Sequence, residues 1–469
     1  MSPAMFKLVF LTMMGSGLPV AIAMAGASLL YAMMSGNLPD FVVIHRMVGG
    51  LDSFPLLAVP FFILAGNLMN VGGITTRIYN FALSLVGWMR GGLAHVNIVG
   101  SVIFSGMSGT AIADAAGLGT IEIKAMRDHG YSAEFAVGVT AASATLGPII
   151  PPSLPFVIYA MFANVSIGAL FLAGILPGVV MSLLMMATVG WFAHRRGWGG
   201  DVRFNGRRMA QALLELAIVA GFPLALWALA KLNPELNLPI TVGLALVFLL
   251  LADWWFKFDA VLPMLTPVLL MGGMTTGVFT ATEGAIAACV WALALGVLWY
   301  RTLSFRQIIR ITMETIETSA TVLLIVAAAS IFGWMLTATK TTEAIATWVL
   351  AFTSDPMIFL ALANLLMLFV GCFLEPTAAI TILVPILLPI VKALGVDPVH
   401  FGLVMVLNLM IGLLHPPMGL VLFVLARVAK LSIERTTMAI LPWLVPLLAS
   451  LALVTYYPQL SLWLPKQLM

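Results

Sequence analysis

Apolar residues along this chain gather into runs long enough to cross a bilayer, and short polar clusters divide them. Helices are therefore expected near 8–34, 54–72, 78–97, 132–164, 166–193, 211–231, 239–256, 260–278, 284–300, 317–338, 342–353, 398–427 and 436–457. Two further apolar stretches, 98–126 and 357–391, are interrupted by Gly, Ser, Thr and Pro. Such broken runs predict half-helices folded back as re-entrant hairpins rather than straight spans. Segments 36–52 and 301–316 mix basic and polar residues with aliphatic ones and read as short connecting helices at the membrane interface.

Composition fixes the solvent. Of 469 residues, 62% are apolar and 9% are charged. A soluble domain covers itself with about 25% charged residues, so most of this surface faces lipid. The fold class is an all-α polytopic membrane protein. The net charge of +3 does not indicate a nucleic-acid partner, because no stretch gathers enough Lys and Arg to follow a phosphate backbone. Instead Arg195, Arg196, Arg203, Arg207 and Arg208 sit with His194 between apolar runs against Asp201 alone, as in a loop kept in the cytoplasm. Arg301, Arg306 and Arg310 form a second cluster. The first apolar stretch is too long for a signal core and reads as the first span. Cys289 and Cys372 lie inside apolar segments, with no disulfide frame or zinc spacing around them.

The chain also resembles itself. A shift of 265 residues superposes Gly106 on Gly371, Ala113 on Ala378, Gly130 on Gly395, Gly147 on Gly412 and Pro151-Pro152 on Pro416-Pro417. Gly and Pro matches carry the argument, since apolar matches are cheap in this composition. Each half then holds a broken hairpin followed by a Pro-broken helix, which predicts two inverted repeats. The first repeat covers 1–199 and the second 259–469, with an inserted arm and extra helical hairpin at 200–258.

Small and hydroxylated residues crowd the breaks. The first hairpin carries SGMSGTAIAD (105–114), and its following helix carries TAASATLGPIIPPSLP (140–155). Prolines 148, 151 and 152 lack amide hydrogens, so carbonyls a turn earlier lose their helical partners, and Gly147 adds backbone freedom. Such carbonyls are tolerable in a membrane where they line a polar cavity or coordinate a cation. Ser105, Ser108, Thr110, Ser143 and Thr145 offer further oxygens, and a hard monovalent ion such as sodium suits an all-oxygen shell. The alternative is that small residues only permit close helix packing. The second half repeats the pattern in GCFLEPTAAITILVP (371–385) and NLMIGLLHPPMGL (408–420), with Asn408 equivalent to Ser143.

Carboxylates inside apolar segments are functional candidates by default. Glu122, near Lys124 and Arg127, reads as an interfacial residue at a hairpin mouth, and Glu283 as either a helix cap or a site residue. Asp114 and Glu375 sit in the hairpins and weigh more. His415 reads as a packed ring rather than a proton shuttle. No metal-spaced cluster and no Walker-type loop is present, so the chain is not expected to be an enzyme or to hydrolyse ATP, and uphill transport would draw on an ion gradient.

The stretches FFILAGNLMNVGGIT (61–75), SGMSGTAIADAAGLGT (105–120), AASATLGPIIPPSLPFVIYA (141–160), GVFTATEGA (277–285), FLEPTAAITILVPILLPI (373–390) and NLMIGLLHPPMGL (408–420) together resemble the large membrane subunit of tripartite ATP-independent periplasmic (TRAP) transporters. The resemblance implies an elevator-type carrier in a bacterial inner membrane that imports organic anions, dicarboxylates or sugar acids, with sodium as the coupling ion and no other cofactor. It implies two partners, a small four-helix membrane subunit and a periplasmic substrate-binding protein. A stand-alone carboxylate carrier of related architecture is the alternative.

By the same resemblance the cation sites map to each half's hairpin and broken helix: Ser105, Gly106, Ser108, Thr145 and Gly147 in the first, and Gly333, Gly371, Thr377, Asn408 and Gly412 in the second. Substrate contacts fall to Ser108, Thr110, Ser143, Pro151, Pro152, Ser153 and Glu375. The transport unit is expected at about 98–164 plus 357–427, moving against a scaffold made of the rest. Two positions depart from the family pattern: Glu375 stands where Asp is frequent, and His415 where Thr is common.

Overall fold

A computed structural model describes residues 3–35, 41–232, 238–256, 258, 260–415 and 419–469. Among these the chain is helical throughout, apart from one isolated bridge between Arg90 and Gly200. Six of the described helices are long and apolar enough to cross a bilayer.

Both interrupted stretches form helix–turn–helix hairpins. The first has arms Gly92–Ser108 and Leu118–Asp128, with a short helix Ala111–Ala116 after the tip. Gly109 turns the tip at φ +65°, a left-handed conformation that glycine adopts without steric cost. The second hairpin joins Pro356–Gly371 to Pro376–Ala393. Each is followed by a helix in two pieces, Ala133–Ala144 with Leu154–Ala163, and Pro398–Gly412 with Leu420–Ala429. Pro151 and Pro152 fall in the first gap; Pro416 and Pro417 lie outside the described residues. These two-piece helices form the centre of the molecule, and every residue of 400–414 is buried. A helix buried all round cannot be a lipid-facing span.

Several boundaries differ from expectation. The stretch 8–34 is two helices, Pro3–Gly15 and Val20–Ser35, because Gly17 at φ +87° and Pro19 end one and begin the next. The stretches 301–316 and 317–338 are one helix, Phe305–Ala338, rather than a connector and a span. A capping box starts it, with Ser304 N donating to Gln307 Oε1 at 2.8 Å and Gln307 N to Ser304 Oγ at 3.4 Å. Arg306, Arg310, Glu314 and Glu317 remain exposed while Ile311, Thr315, Ser319 and Val322 are buried at helical spacing, so polarity here marks one face and not an end. The stretch 284–300 begins earlier, at Ala281, and ends in a π turn at Ala294–Trp299.

The inserted arm consists of Gly206–Leu232 and Leu238–Phe256, and the NPELN segment between them lies outside the described residues. The loop leading into it is fastened to the base of the first hairpin. Asp201 Oδ2 accepts from Leu93 N at 2.8 Å and from the Tyr131 hydroxyl at 2.6 Å. Burial and the Asp201 carboxylate push the Tyr131 phenol up, so it keeps the proton it donates.

Candidate functional site

The hairpin tips and the helix breaks meet. In the first half, Leu154 N donates to Gly109 O at 3.4 Å, and a Cβ on Gly147 would stand 3.0 Å from Thr110 O. In the second, a Cβ on Gly412 would stand 2.7 Å from the backbone of Gly371. Glycine at 147 and at 412 lets the hairpin and the broken helix approach this closely. Polar pairs add to both contacts. Ser143 Oγ donates to Asn97 Oδ1 at 2.6 Å, and Asn408 Nδ2 donates to Asn364 Oδ1 at 2.8 Å. Asn97 Nδ2 also donates to Thr140 Oγ1 at 2.7 Å, so the first half carries two buried polar links between hairpin and helix and the second a part-buried one.

A cavity of about 310 Å³ opens between the two tips. Of the expected site residues it is lined by Ser108 and Thr110 from the first tip and by Glu375 and Thr377 from the second. Ser108 Oγ is buried without a hydrogen-bond partner. Thr110 Oγ1 accepts from Ala113 N at 3.3 Å, and Thr377 Oγ1 donates to Glu375 Oε1 at 2.8 Å. The helices Leu154–Ala163 and Pro376–Ala393 both begin at its wall, where Leu154, Pro155, Pro376 and Thr377 line it. Helix N-termini present the positive ends of their dipoles. No basic side chain lines the cavity among the described residues.

The remaining expected residues stand outside this cavity. Ser105 Oγ donates back to Ser101 O, Thr145 Oγ1 to Ala142 O at 2.6 Å, and Ser153 Oγ to Pro148 O while accepting from Phe156 N at 3.3 Å. Gly106 packs on Pro267; Pro151 and Pro152, joined by a cis bond, are buried in the gap. Gly371 lines a neighbouring cavity of about 360 Å³ that also reaches Glu375. Asn408 Oδ1 is buried and unpartnered. Gly333 lies within the continuous helix Phe305–Ala338 beside Pro385, and its carbonyl accepts the Thr337 hydroxyl at 3.1 Å.

Three polar lining residues were not among the expected site residues. Asn67 and Asn70 come from Ala58–Val71, and Thr318 from Phe305–Ala338. The N-x-x-N spacing inside an apolar run was the available signal, since it puts both amides on one helix face. Glu122 also differs from its interfacial reading: it is 1% exposed and neither oxygen has a partner. Lys124, two positions on, points to the opposite side, and glycine at position 100 leaves the room, since a Cβ there would meet Glu122 Oε1 at 2.9 Å. Glu283 completes a capping box with Thr280, accepting from Thr280 N at 2.7 Å. His415 Nδ1 lies 3.0 Å from Ile411 O.

Comparison with known proteins returns a single theme. Residues 8–460 match the family described as tripartite ATP-independent periplasmic transporter, DctM component. The chain is 41% identical to the sialic acid TRAP transporter large permease protein SiaM of Vibrio cholerae, with 97% of each chain covered. It is 31% identical to the C4-dicarboxylate TRAP transporter large permease protein DctM of Rhodobacter capsulatus, covering 98% of this chain and 97% of that one. Among solved structures, the YdaH transporter of Alcanivorax borkumensis superposes with a TM-score of 0.60 at 16% identity, over 89% of this chain and 87% of the other.

Proposed function

This chain belongs to the DctM-component family of tripartite ATP-independent periplasmic transporters, as a large permease subunit of the inner membrane and not an enzyme, and from that premise we propose the substrate, coupling and motion of its transport cycle. It imports small organic anions of the dicarboxylate or sugar-acid class, delivered by a periplasmic substrate-binding protein and accompanied by sodium. A small membrane subunit completes the assembly. The two hairpin-and-broken-helix units are inverted repeats, and together they form a transport body that shuttles past the remaining helices.

The observation that carries this reading is the shared cavity between the hairpin tips. Two helix N-termini at its wall favour a carboxylate. Glu375 opposes one, and the described lining supplies no Lys, Arg or His to balance the pair. An anion entering beside a carboxylate needs added positive charge, because bringing like charges together in low dielectric is costly. Co-bound sodium provides it, and the hydroxyl and carbonyl oxygens around the tips are ligands of the kind a hard cation takes. The relatives named for sialic acid and C4-dicarboxylates support an organic-acid substrate.

The test is uptake into proteoliposomes holding both membrane subunits, with binding proteins for candidate organic acids supplied outside. Accumulation that requires both the binding protein and an inward sodium gradient is expected. Equal uptake without the binding protein would favour a stand-alone carrier, and uptake indifferent to sodium would remove the coupling assignment.

A further inference from the structure

A separate cavity, with a different lining from the one between the hairpin tips, is formed by residues 80–88 and 202–215. It measures about 460 Å³ and separates the helix Ile74–Val86 from the beginning of the arm helix Gly206–Leu232. We propose that this cleft binds the phosphate of an anionic phospholipid headgroup, clamped by Arg203 and Arg208.

Both guanidiniums line the cleft, and neither has a carboxylate partner among the described residues, where the ion pair found is Arg310 with Glu314. The nearby acids are already engaged. Glu215, buried in the lining, accepts from Ala260 N at 2.9 Å and from Gln211 Nε2 at 3.4 Å. Asp201 is held by Leu93 N and Tyr131. Asn80 and Ser84 face the arginines from the opposite wall as neutral hydrogen-bonding groups. Two arginines without carboxylate partners in a concave polar pocket supply the forked donors that a phosphate diester accepts.

The surroundings select a lipid over a soluble anion. Trp88 lines the cleft and Phe204 adjoins it; the two rings meet edge to face at 5.4 Å and are 44% and 62% exposed. Exposed aromatic rings beside basic residues mark the headgroup level of a membrane. Phosphate alone would use the arginines and leave these exposed rings without purpose.

The experiment measures binding of dioleoyl-phosphatidylglycerol and dioleoyl-phosphatidylcholine to the purified full-length protein by native mass spectrometry, with inorganic phosphate as a competitor. Phosphatidylglycerol should be preferred, and R203Q/R208Q should weaken it by about 30-fold, at roughly fivefold for each basic residue at an anionic surface. R306Q, in the other basic cluster, should leave it unchanged. Asn80→Phe fills the cleft without altering charge and should also abolish the preference, which separates loss of the site from loss of fold. A preference that survives both R203Q/R208Q and Asn80→Phe overturns the proposal. So does inorganic phosphate displacing the lipid at millimolar concentration in an arginine-dependent way, which would assign the cleft to a soluble anion.

Discussion

Replacing Gly412 with alanine puts a methyl group into the backbone of the neighbouring hairpin. The new carbon would lie 2.7 Å from both the carbonyl carbon and Cα of Gly371, and 2.9 Å from its oxygen. An ordinary carbon contact needs about 3.5 Å or more, so the arm Pro356–Gly371 and the broken helix would have to part by most of an ångström. The obstructing atoms are main chain, and no side chain can rotate away. Overpacking of this kind costs about 1–3 kcal/mol, or roughly 5- to 150-fold in the folded-to-unfolded ratio. The reciprocal change, Gly371→Ala, meets Gly412 Cα at 3.2 Å, which a shift of a few tenths relieves, so it should cost under about 1 kcal/mol. Gly190→Ala provides the opposite sign. That helical glycine has nothing within 4 Å of a new Cβ, and alanine there should stabilise by up to about 1 kcal/mol. Half-lives of the three purified variants at one elevated temperature, followed by intrinsic fluorescence, measure the order. The reasoning fails if Gly412→Ala survives as long as Gly190→Ala, or if Gly371→Ala is the more damaging member of the pair.

Thr377→Val removes the hydroxyl that holds Glu375 at the cavity wall and should raise the sodium concentration for half-maximal uptake by roughly tenfold, while Thr377→Ser largely preserves it; an unchanged sodium curve for the valine variant excludes Thr377 from the site. Tyr131→Phe loses a 2.6 Å bond to a carboxylate and should cost roughly 1.5–3 kcal/mol in thermal unfolding. Because the Tyr131 pKa is raised above its ordinary 10.0, that stabilisation is fully present below pH 10.0 and fades only as pH climbs through the raised value, so the gap between wild type and variant should stay flat from about pH 6 to 9. A gap that closes within that window contradicts the assignment. Cysteine pairs tying the hairpins to the helices Ala58–Val71 or Phe305–Ala338 should stop uptake without disturbing assembly, and full uptake in completely crosslinked protein would refute the moving-body reading.

What could be read from the sequence was local. Gly109, Pro151, Pro152 and Pro376 stand at the helix breaks, and their clustering with other Gly, Ser and Thr marked those breaks, whereas isolated prolines such as Pro177 and Pro385 lie inside continuous helices. Four cavity residues, Ser108, Thr110, Glu375 and Thr377, were visible for the same reason, since they sit at those breaks. Features that depend on a distant partner were not. Asn97 and Asn364 are single polar residues in apolar runs until Ser143 and Asn408 arrive beside them. Glu122 looked interfacial because its sequence neighbours are basic, yet its face of the helix turns to Gly100. The cluster at 306–317 looked like a connector because charge density resembles a boundary, whereas an amphipathic helix carries the same charges along one side.

The cavity wall is composite, with hydroxyls and a carboxylate from the two hairpin tips facing Asn67, Asn70 and Thr318 from other helices. If the transport body moves as proposed, these groups part and the wall comes apart, so the dissociation constant of a ligand held there would be a function of conformation rather than a single number. Thermodynamic linkage then sets the terms: a ligand biases the assembled arrangement only by the free energy of the contacts that exist there and nowhere else. Three polar contacts at about 0.5–1.5 kcal/mol each amount to an affinity difference on the order of 10- to 1,000-fold between assembled and dismantled walls. Release would then be a by-product of disassembly, with Asn67, Asn70 and Thr318 governing how tightly the cargo is held on one side of the cycle and how readily it is surrendered on the other.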